Sequence, residues 1–311
     1  MLVSLLLLVA GVALAGFGGE LFVRGAVGLA ARARVPAGLV GATVAAFATS
    51  TPELSVGIQS ATSGRSGLAL GDALGSNVVN VAVVLGIVLV LGPLRATRAE
   101  LRRDLGLALV APLVALLMLL DGRLGRAEGV SLLVMFVAWV VAVGRQAMGE
   151  RSASTEVLGE HDGGRVVWSV VGGLVALVAA GRLVVMAATG IGDELGLDPF
   201  VVGATLVALG TSTPEIATAV IARRRGHSEV GVGTVLGSNV FNTLWIVGIV
   251  AVIQPVRTQP SEVALSVLTS VVTLLMIVPT RRGVVPRERG VLLLAVAALY
   301  GAATVAIEHG G

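Results

Sequence analysis

The sequence predicts an all-α membrane protein of ten transmembrane helices, arranged as two five-helix repeats of inverted topology. Three observations carry this prediction: an apolar composition, arginines confined largely to the breaks between apolar runs, and a repeat at constant spacing. Of 311 residues, 55% are hydrophobic and only 13% charged, with a mean hydropathy of +0.95. A soluble domain could not cover its surface with so little charge. The absence of cysteine excludes a disulfide framework, an iron–sulfur cluster and a thiolate zinc site. All 22 basic residues are Arg and the formal charge is only +3. They punctuate apolar stretches, so they read as topology signals toward a lipid bilayer and not as a nucleic-acid surface.

A helix crossing ~30 Å of hydrocarbon takes about 20 apolar residues. The first run, 2–30, ends its most apolar part in Ala13-Leu14-Ala15, a passable cleavage motif. No positive charge precedes it and the apolar character continues through Val23, so a retained first helix is expected. The second run, 36–62, contains Pro52. A proline inside a helix lacks an N–H and clashes with the carbonyl four residues back, here Ala48, so this helix is expected to break at the proline and turn carbonyls inward. Runs at 68–91, 103–120 and 127–144 complete the first half. The only long polar stretch follows, Arg145 to Arg165, with Glu150, Glu156, Glu160 and Asp162. It divides the chain into a first repeat (1–145), a cytoplasmic linker (146–165) and a second repeat (166–311). The second half supplies runs at 166–190, 199–222, 229–252, 262–279 and 289–307, with Pro214 breaking the seventh span against Gly210.

Arginine placement orients these spans. With the N-terminus outside, the cytoplasmic segments hold sixteen Arg: Arg32, Arg34, Arg95, Arg98, Arg102, Arg103, Arg145, Arg151, Arg165, Arg223, Arg224, Arg225, Arg281, Arg282, Arg287 and Arg289. The outer loops hold four, Arg65, Arg123, Arg126 and Arg257. That bias predicts both termini outside, in what reads as a prokaryotic cytoplasmic membrane.

The repeat is exact in register. Val40-Gly41-Ala42-Thr43 recurs as Val202-Gly203-Ala204-Thr205, and Thr49-Ser50-Thr51-Pro52-Glu53 as Thr211-Ser212-Thr213-Pro214-Glu215. Leu74-Gly75-Ser76-Asn77-Val78 recurs as Leu236-Gly237-Ser238-Asn239-Val240, and Asn80 matches Asn242. Every pair is offset by 162 residues without a gap, and 23 of the 51 positions from 40 to 90 are identical to their mates. Five spans per half is odd, so the second copy enters the membrane upside down. Such repeats belong to transporters whose substrate sits near the bilayer midplane.

The chemistry lies in the polar residues of the repeat. An ionisable group at mid-bilayer costs ~2.5–3.5 kcal/mol on insertion scales. One such Glu can be structural, held by neighbouring hydroxyls; Glu53 and Glu215 at equivalent positions point to function. Broken backbone survives at membrane depth where it is buried in protein or lines a wet cavity. Carboxylates, hydroxyls and carbonyls together form a hard-oxygen set suited to Ca²⁺ or Na⁺. Asp72, Ser76 and Asn80 are spaced by four and share a helical face, with Thr234, Ser238 and Asn242 as mates. Gly71, Gly75, Gly233 and Gly237 would let helices approach closely. For Asn77 and Asn239 the competing, lesser reading is packing and interhelical hydrogen bonding.

Gly-x-Thr-x-x-Ala, then Thr-Ser-x-Pro-Glu, then Gly-Ser-Asn-x-x-Asn, occurring twice, resembles the two alpha-repeats of the calcium/cation antiporter superfamily, most nearly the prokaryotic sodium/calcium exchangers. The resemblance implies sites formed by spans 2, 3, 7 and 8. Glu53 and Glu215 would be the shared carboxylates, Thr49 and Thr211 would add oxygens near the centre, and Asn80 and Asn242 would line the middle. Ala46, Ser50 and Ser238 would flank one end, and Ala208, Ser212 and Ser76 the other. It further implies alternating access by movement of spans 1 and 6, with Gly16, Gly18 and Gly19 allowing sliding and Glu20 and Arg24 either pairing locally or gating the path. Two departures stand out. The last motif residue is Asn in both copies, against potassium co-transport, and Asp72 stands where relatives often carry Asn. Asp72 either faces the pathway or lies in solvent at the helix end.

The expected function is secondary active exchange of Ca²⁺ against Na⁺, without a cofactor. A Ca²⁺/H⁺ or other cation/H⁺ antiporter on the same scaffold is the alternative, and a cation channel a further one. An enzyme is not expected: there is no His-Glu-x-x-His pair or Gly-x-Ser-x-Gly elbow, and His161, His227 and His309 lie in loops or termini.

Overall fold

The computed structural model describes residues 2–33, 37–95, 98–151, 163–195, 199–281 and 283–310. Arg34, Glu156, Glu160, His161, Asp162 and Arg282, which entered the reading above, lie outside the described residues. The chain opens with α1 (Leu2–Ala33). A composite helix follows, made of α2 (Ala37–Val40), a π-helical turn at Gly41–Ala45 and α3 (Ala46–Thr49), and continues past Ser50 as α4 (Thr51–Thr62). α5 (Ser66–Val78) runs through π-helical Val79–Leu85 into α6 (Gly86–Val90). Strand β1 (Leu94–Arg95), α7 (Arg98–Met118), β2 (Arg123–Leu124) and α8 (Arg126–Arg151) complete the first half.

The second half repeats this order element by element. α9 (Gly163–Leu195) precedes α10 (Pro199–Val202), π-helical Gly203–Val207, α11 (Ala208–Thr211) and α12 (Thr213–Arg224). α13 (Ser228–Val240) passes through π-helical Phe241–Ile246 into α14 (Val247–Ile253), followed by β3 (Val256–Arg257), α15 (Pro260–Met276), β4 (Val284–Val285) and α16 (Glu288–Gly310). Even the turns repeat: Gly64 and Gly226, offset by 162, take positive φ of 78° and 82° in the bends before α5 and α13. That left-handed conformation is why glycine recurs there.

The halves interlock. β1 pairs antiparallel with β4, and β2 with β3, so each ribbon joins one half to the other. No strand was expected from so apolar a sequence. α5 packs on the π-helical turn Gly203–Val207 of the other half, and α13 on its counterpart Gly41–Ala45. Glycine makes both crossings possible: a Cβ on Gly75 or Gly237 would collide with the carbonyl of Ala204 or Ala42. α1 and α9 pack chiefly on each other, where a Cβ on Gly18 would lie 2.9 Å from Ala176 Cβ and one on Gly173 2.5 Å from the Phe22 backbone nitrogen. Gly16 meets nothing within 4 Å.

The outer faces are apolar, with Val134 and Val137 of α8 and Leu292 and Leu299 of α16 exposed. Among the described residues six helices are long and apolar enough to cross a membrane. The pair 200–211 and 213–224, bent by 40°, passes the same test of length and composition when its two helices are taken together, and would make a seventh if it is one span. α7 and α15 contribute shorter apolar segments at Leu105–Met118 and Pro260–Met276. By length and composition, then, the helices fall short of the ten expected spans. The 36–62 run is not among the helices that pass; its second part, α4, carries Glu53, Ser55, Gln59 and Ser60.

The breaks in the second and seventh spans fall not at the prolines but two residues ahead, at Ser50 (φ −81°, ψ 13°) and Ser212 (φ −76°, ψ 6°). Pro52 and Pro214 sit in the first turn of the next helix, where a missing N–H costs nothing. The Ala48 carbonyl, expected to turn inward, instead accepts the Thr51 hydroxyl at 2.8 Å. Glu20 pairs with Arg24 on α1, as expected of that spacing, and also with Arg225 at the end of α12.

Candidate functional site

Breaking each helix at a serine places a glutamate in the first turn of the helix that follows. The backbone N–H groups and helix dipole at that end favour negative charge, which offsets part of the cost of burying Glu53 and Glu215. Both side chains are fully buried, as are Thr49, Ser50, Asp72, Ser76, Asn80, Thr211, Ser212, Ser238 and Asn242. Ala46 and Ala208 are buried beside them, their carbonyls accepting the N–H of Ser50 at 3.0 Å and of Ser212 at 3.1 Å.

The two halves meet here. Ser50 Oγ, from the first broken helix, donates toward Glu215 Oε1 at 3.2 Å and lies 2.9 Å from Ser238 Oγ. Ser238 Oγ in turn is 3.0 Å from Glu215 Oε1. Two helices of the second half and one of the first thus converge on one carboxylate.

The mirror arrangement is built differently. Both oxygens of Glu53 and the hydroxyl of Ser212 lack a hydrogen-bond partner. Ser76, the mate of Ser238, lies 3.3 Å from Thr211 Oγ1 instead. Thr211 is engaged by Asp72, donating to its Oδ1 at 2.9 Å. Thr49, the mate of Thr211, donates to the Ala45 carbonyl of its own helix at 3.0 Å. Asp72 is therefore not at a solvated helix end but fully buried in the site; its acidic mismatch with Thr234 was the sequence signal for this asymmetry.

Asparagines tie α5 and the π-helical turn after it to α13 and the π-helical turn after that. Asn77 Nδ2 donates to Thr243 Oγ1 at 2.7 Å, Asn239 Nδ2 to the Asn77 carbonyl at 3.1 Å, and Asn80 Nδ2 to Asn239 Oδ1 at 3.0 Å. Asn77 and Asn239 are thus cross-links between halves, and Thr243 is a partner the motif reading missed. Asn80 Oδ1, Asn242 Oδ1 and Glu215 Oε2 have no hydrogen-bond partner. Asn242 Nδ2 is unpaired as well. Buried polar atoms are nearly always paired, so unpaired carboxylate and amide oxygens are candidates to hold a cation. Among the described residues no three of His, Cys, Asp and Glu form a metal-holding group, so any such ion would be held by mixed carboxylate, hydroxyl and amide oxygens.

Apolar helices around a fully buried, oxygen-lined site shared by two halves define an integral membrane protein of the transporter class. A family model described as sodium/calcium exchanger protein matches residues 3–144 and again residues 165–306. The inner membrane protein YrbG of Escherichia coli (strain K12) is 34% identical over 270 residues, spanning 84% of this chain and 83% of the relative. The sodium/calcium exchanger MaX1 of Methanosarcina acetivorans is 24% identical over 94% of this chain and 95% of its own length. The fold matches the sodium-calcium exchanger NCX_Mj, soaked with 100 mM Na⁺ and 10 mM Sr²⁺, at a TM-score of 0.81 and 24% identity, over 97% of this chain and 98% of that one. The chain belongs to the sodium/calcium exchanger protein family, a family of cation exchangers and not of enzymes.

Proposed function

We propose that the protein exchanges Ca²⁺ for Na⁺ by alternating access at a mid-membrane site between its two halves. The observation that carries this reading is the pair of fully buried glutamates, one from each half, with Ser50 of the first half reaching the carboxylate of the second at 3.2 Å. In this reading Glu53 and Glu215 hold the central ion. Thr49, Thr211, Asn80 and Asn242 supply oxygens around it. Ala46, Ser50 and Ser238 flank one end of the path and Ala208, Ser212 and Ser76 the other.

Ten spans in two inverted repeats, 1–145 and 166–311, joined by a cytoplasmic linker at 146–165, place both termini outside. The repeated element order and the exchanged ribbons support that two-fold arrangement. The π-helical Gly41–Ala45 and Gly203–Val207 extend the short helical pieces toward a full span, and π segments recur at functional sites.

Charge explains the coupling. Two carboxylates neutralise one Ca²⁺ or two Na⁺, so a loaded site crosses the bilayer midplane as a near-neutral body. An empty one carries the cost of two bare charges in a low-dielectric interior. Uncoupled return is therefore slow and exchange is enforced. Alternating access falls to α1 and α9, which pack on each other and touch the rest through small separate apolar clusters at Phe22, Val23 and Ala26.

The test is isotope uptake by proteoliposomes. An outward Na⁺ gradient is expected to drive ⁴⁵Ca²⁺ uptake, and removal of the gradient to stop it. Uptake driven equally by a proton gradient without Na⁺ would replace this reading with a cation/H⁺ antiporter, and uptake without any opposing gradient with a channel.

A further inference from the structure

The turn between α15 and α16 gathers arginines that the ion site does not use. Arg289 of α16 folds back onto the end of α15, its Nη1 donating to Met276 O at 2.7 Å and Val278 O at 2.6 Å. A cation is favoured at a helix C-terminus, and these bonds hold the guanidinium in one place. Arg289 closes one end of an open cavity of about 380 Å³ whose other walls, Val272, Leu275, Met276 and Leu292, are apolar. Val272, Leu275 and Leu292 are exposed, so this groove belongs to the apolar outer face. A second open cavity, of about 490 Å³, lies at the turn itself and is lined by Arg281 with Thr280, Val284 and Pro286. That turn is firmly closed: Thr280 gives both its N–H and its hydroxyl to the Val284 carbonyl, at 3.0 and 2.9 Å. Arg281 and Arg287 are exposed, and among the described residues neither they nor Arg289 enter a salt bridge. Residues 277–289 hold four Arg against one acid, Glu288, whereas residues 116–128, around the corresponding turn of the first half, hold two of each. There Arg126 is spent on the Val252 carbonyl at 3.1 Å. The same end of the bundle is basic beyond this turn. β4 pairs with β1, and just ahead of β1 a Cβ on Gly92 would lie 2.5 Å from Arg223 Nη2.

We propose that this notch between α15 and α16 is a binding site for one anionic phospholipid, its chain in the apolar groove and its phosphate held by Arg289 and Arg281. The pairing of surfaces selects that occupant. A soluble anion would leave the groove facing water, and a zwitterionic lipid would fill the groove but leave the arginines without net countercharge. A guanidinium presents a planar fork that matches phosphate oxygens, and basic pockets between membrane helices take anionic headgroups. Only the second half offers the site, because the corresponding turn of the first half balances its charges internally. The bound lipid clamps the turn that carries β4, one of the strands joining the two halves. None of these residues belongs to the ion-binding set, so the inference stands apart from the exchange reading.

The test is native mass spectrometry of the purified, delipidated protein given equal amounts of phosphatidylglycerol and phosphatidylcholine with identical chains. Wild type is expected to retain one phosphatidylglycerol in preference to phosphatidylcholine. Each arginine near the membrane surface contributes about fivefold to such a preference, so Arg281→Gln and Arg289→Gln should each lower it by about that factor. Arg281→Lys, which keeps the charge, should preserve most of it. Arg281 makes no hydrogen bond among the described residues, so its loss leaves the fold intact even if Arg289→Gln loosens the end of α15. Arg123→Gln, on the opposite ribbon, is the control and should match wild type. Equal retention of the two lipids by wild type overturns the proposal. So does full preference in both glutamine variants, or a fall in Arg123→Gln as large as in Arg281→Gln, which would mean diffuse surface charge. A lipid-free dimer that Leu292→Glu dissociates would assign the groove to a second copy of the chain and overturn it as well.

Discussion

Replacing Gly75 with alanine tests how tightly the two halves must cross. A Cβ at this position would lie 2.6 Å from Ala204 Cα and 2.7 Å from its carbonyl carbon, and closer still to the oxygen. Carbon atoms in contact settle near 3.5–4.0 Å, so α5 and the π-helical Gly203–Val207 would have to separate by about 1 Å. Because the obstructing atoms are backbone, no side chain can rotate away. Overpacking of this kind costs ~1–3 kcal/mol, against which alanine recovers at most ~1 kcal/mol of helix propensity. The expected net is a loss of about 1–2 kcal/mol. Gly144 of α8 is the control, since an added Cβ there meets nothing within 4 Å, and Gly144→Ala should match or slightly exceed wild type. Thermal unfolding in detergent, followed by intrinsic tryptophan fluorescence, reads the difference. Calcium uptake reads its consequence, because Ser76 follows Gly75 and would be drawn away from Thr211. A Gly75→Ala protein that melts at or above both wild type and Gly144→Ala would refute the reasoning.

The remaining predictions follow from the unequal walls and the cross-links. Ser238→Ala removes a hydroxyl held by the Glu215 carboxylate, a bond to a charged group worth ~1.5–3 kcal/mol, and should lower the melting temperature in ion-free buffer. Ser212→Ala removes a hydroxyl without a partner and should leave it nearly unchanged, while both variants weaken Ca²⁺ binding measured by calorimetry. Asn77→Ala strands the Thr243 hydroxyl and should cost ~1–3 kcal/mol of stability, read by the same melting assay, with the KM for Ca²⁺ held near wild type.

Much of this architecture was legible because polar residues in an apolar chain are few and costly. Glu53, Glu215 and the serines and asparagines of the repeat stand out at a fixed offset of 162, and all of them are buried. Proline marked the broken helices correctly but misplaced the break, because Pro52 and Pro214 are better accommodated as first-turn residues than as interior ones. The fate of the Ala48 carbonyl was hidden for a similar reason: Thr51, read only as a motif letter, has a hydroxyl within reach of it. At 36–62 a count by length and composition finds no span, because Glu53, Ser55, Gln59 and Ser60 lower the hydropathy of that run. The two-residue ribbons left no trace in the pattern, since Leu94-Arg95 and Val284-Val285 are ordinary loop neighbours until the fold brings them together. Asp72 was undecidable from sequence because position on a helix face does not reveal which end of the helix reaches water; the geometry of Thr211 decides it.

The account depends on Glu53 and Glu215 acting together on one ion. Sodium-gradient-driven ⁴⁵Ca²⁺ uptake by Glu53→Gln and Glu215→Gln, each reconstituted after confirming a monodisperse, folded protein, tests this most directly. Loss of uptake in both variants, with melting temperatures near wild type, is the predicted result. Full uptake retained in either variant would contradict it.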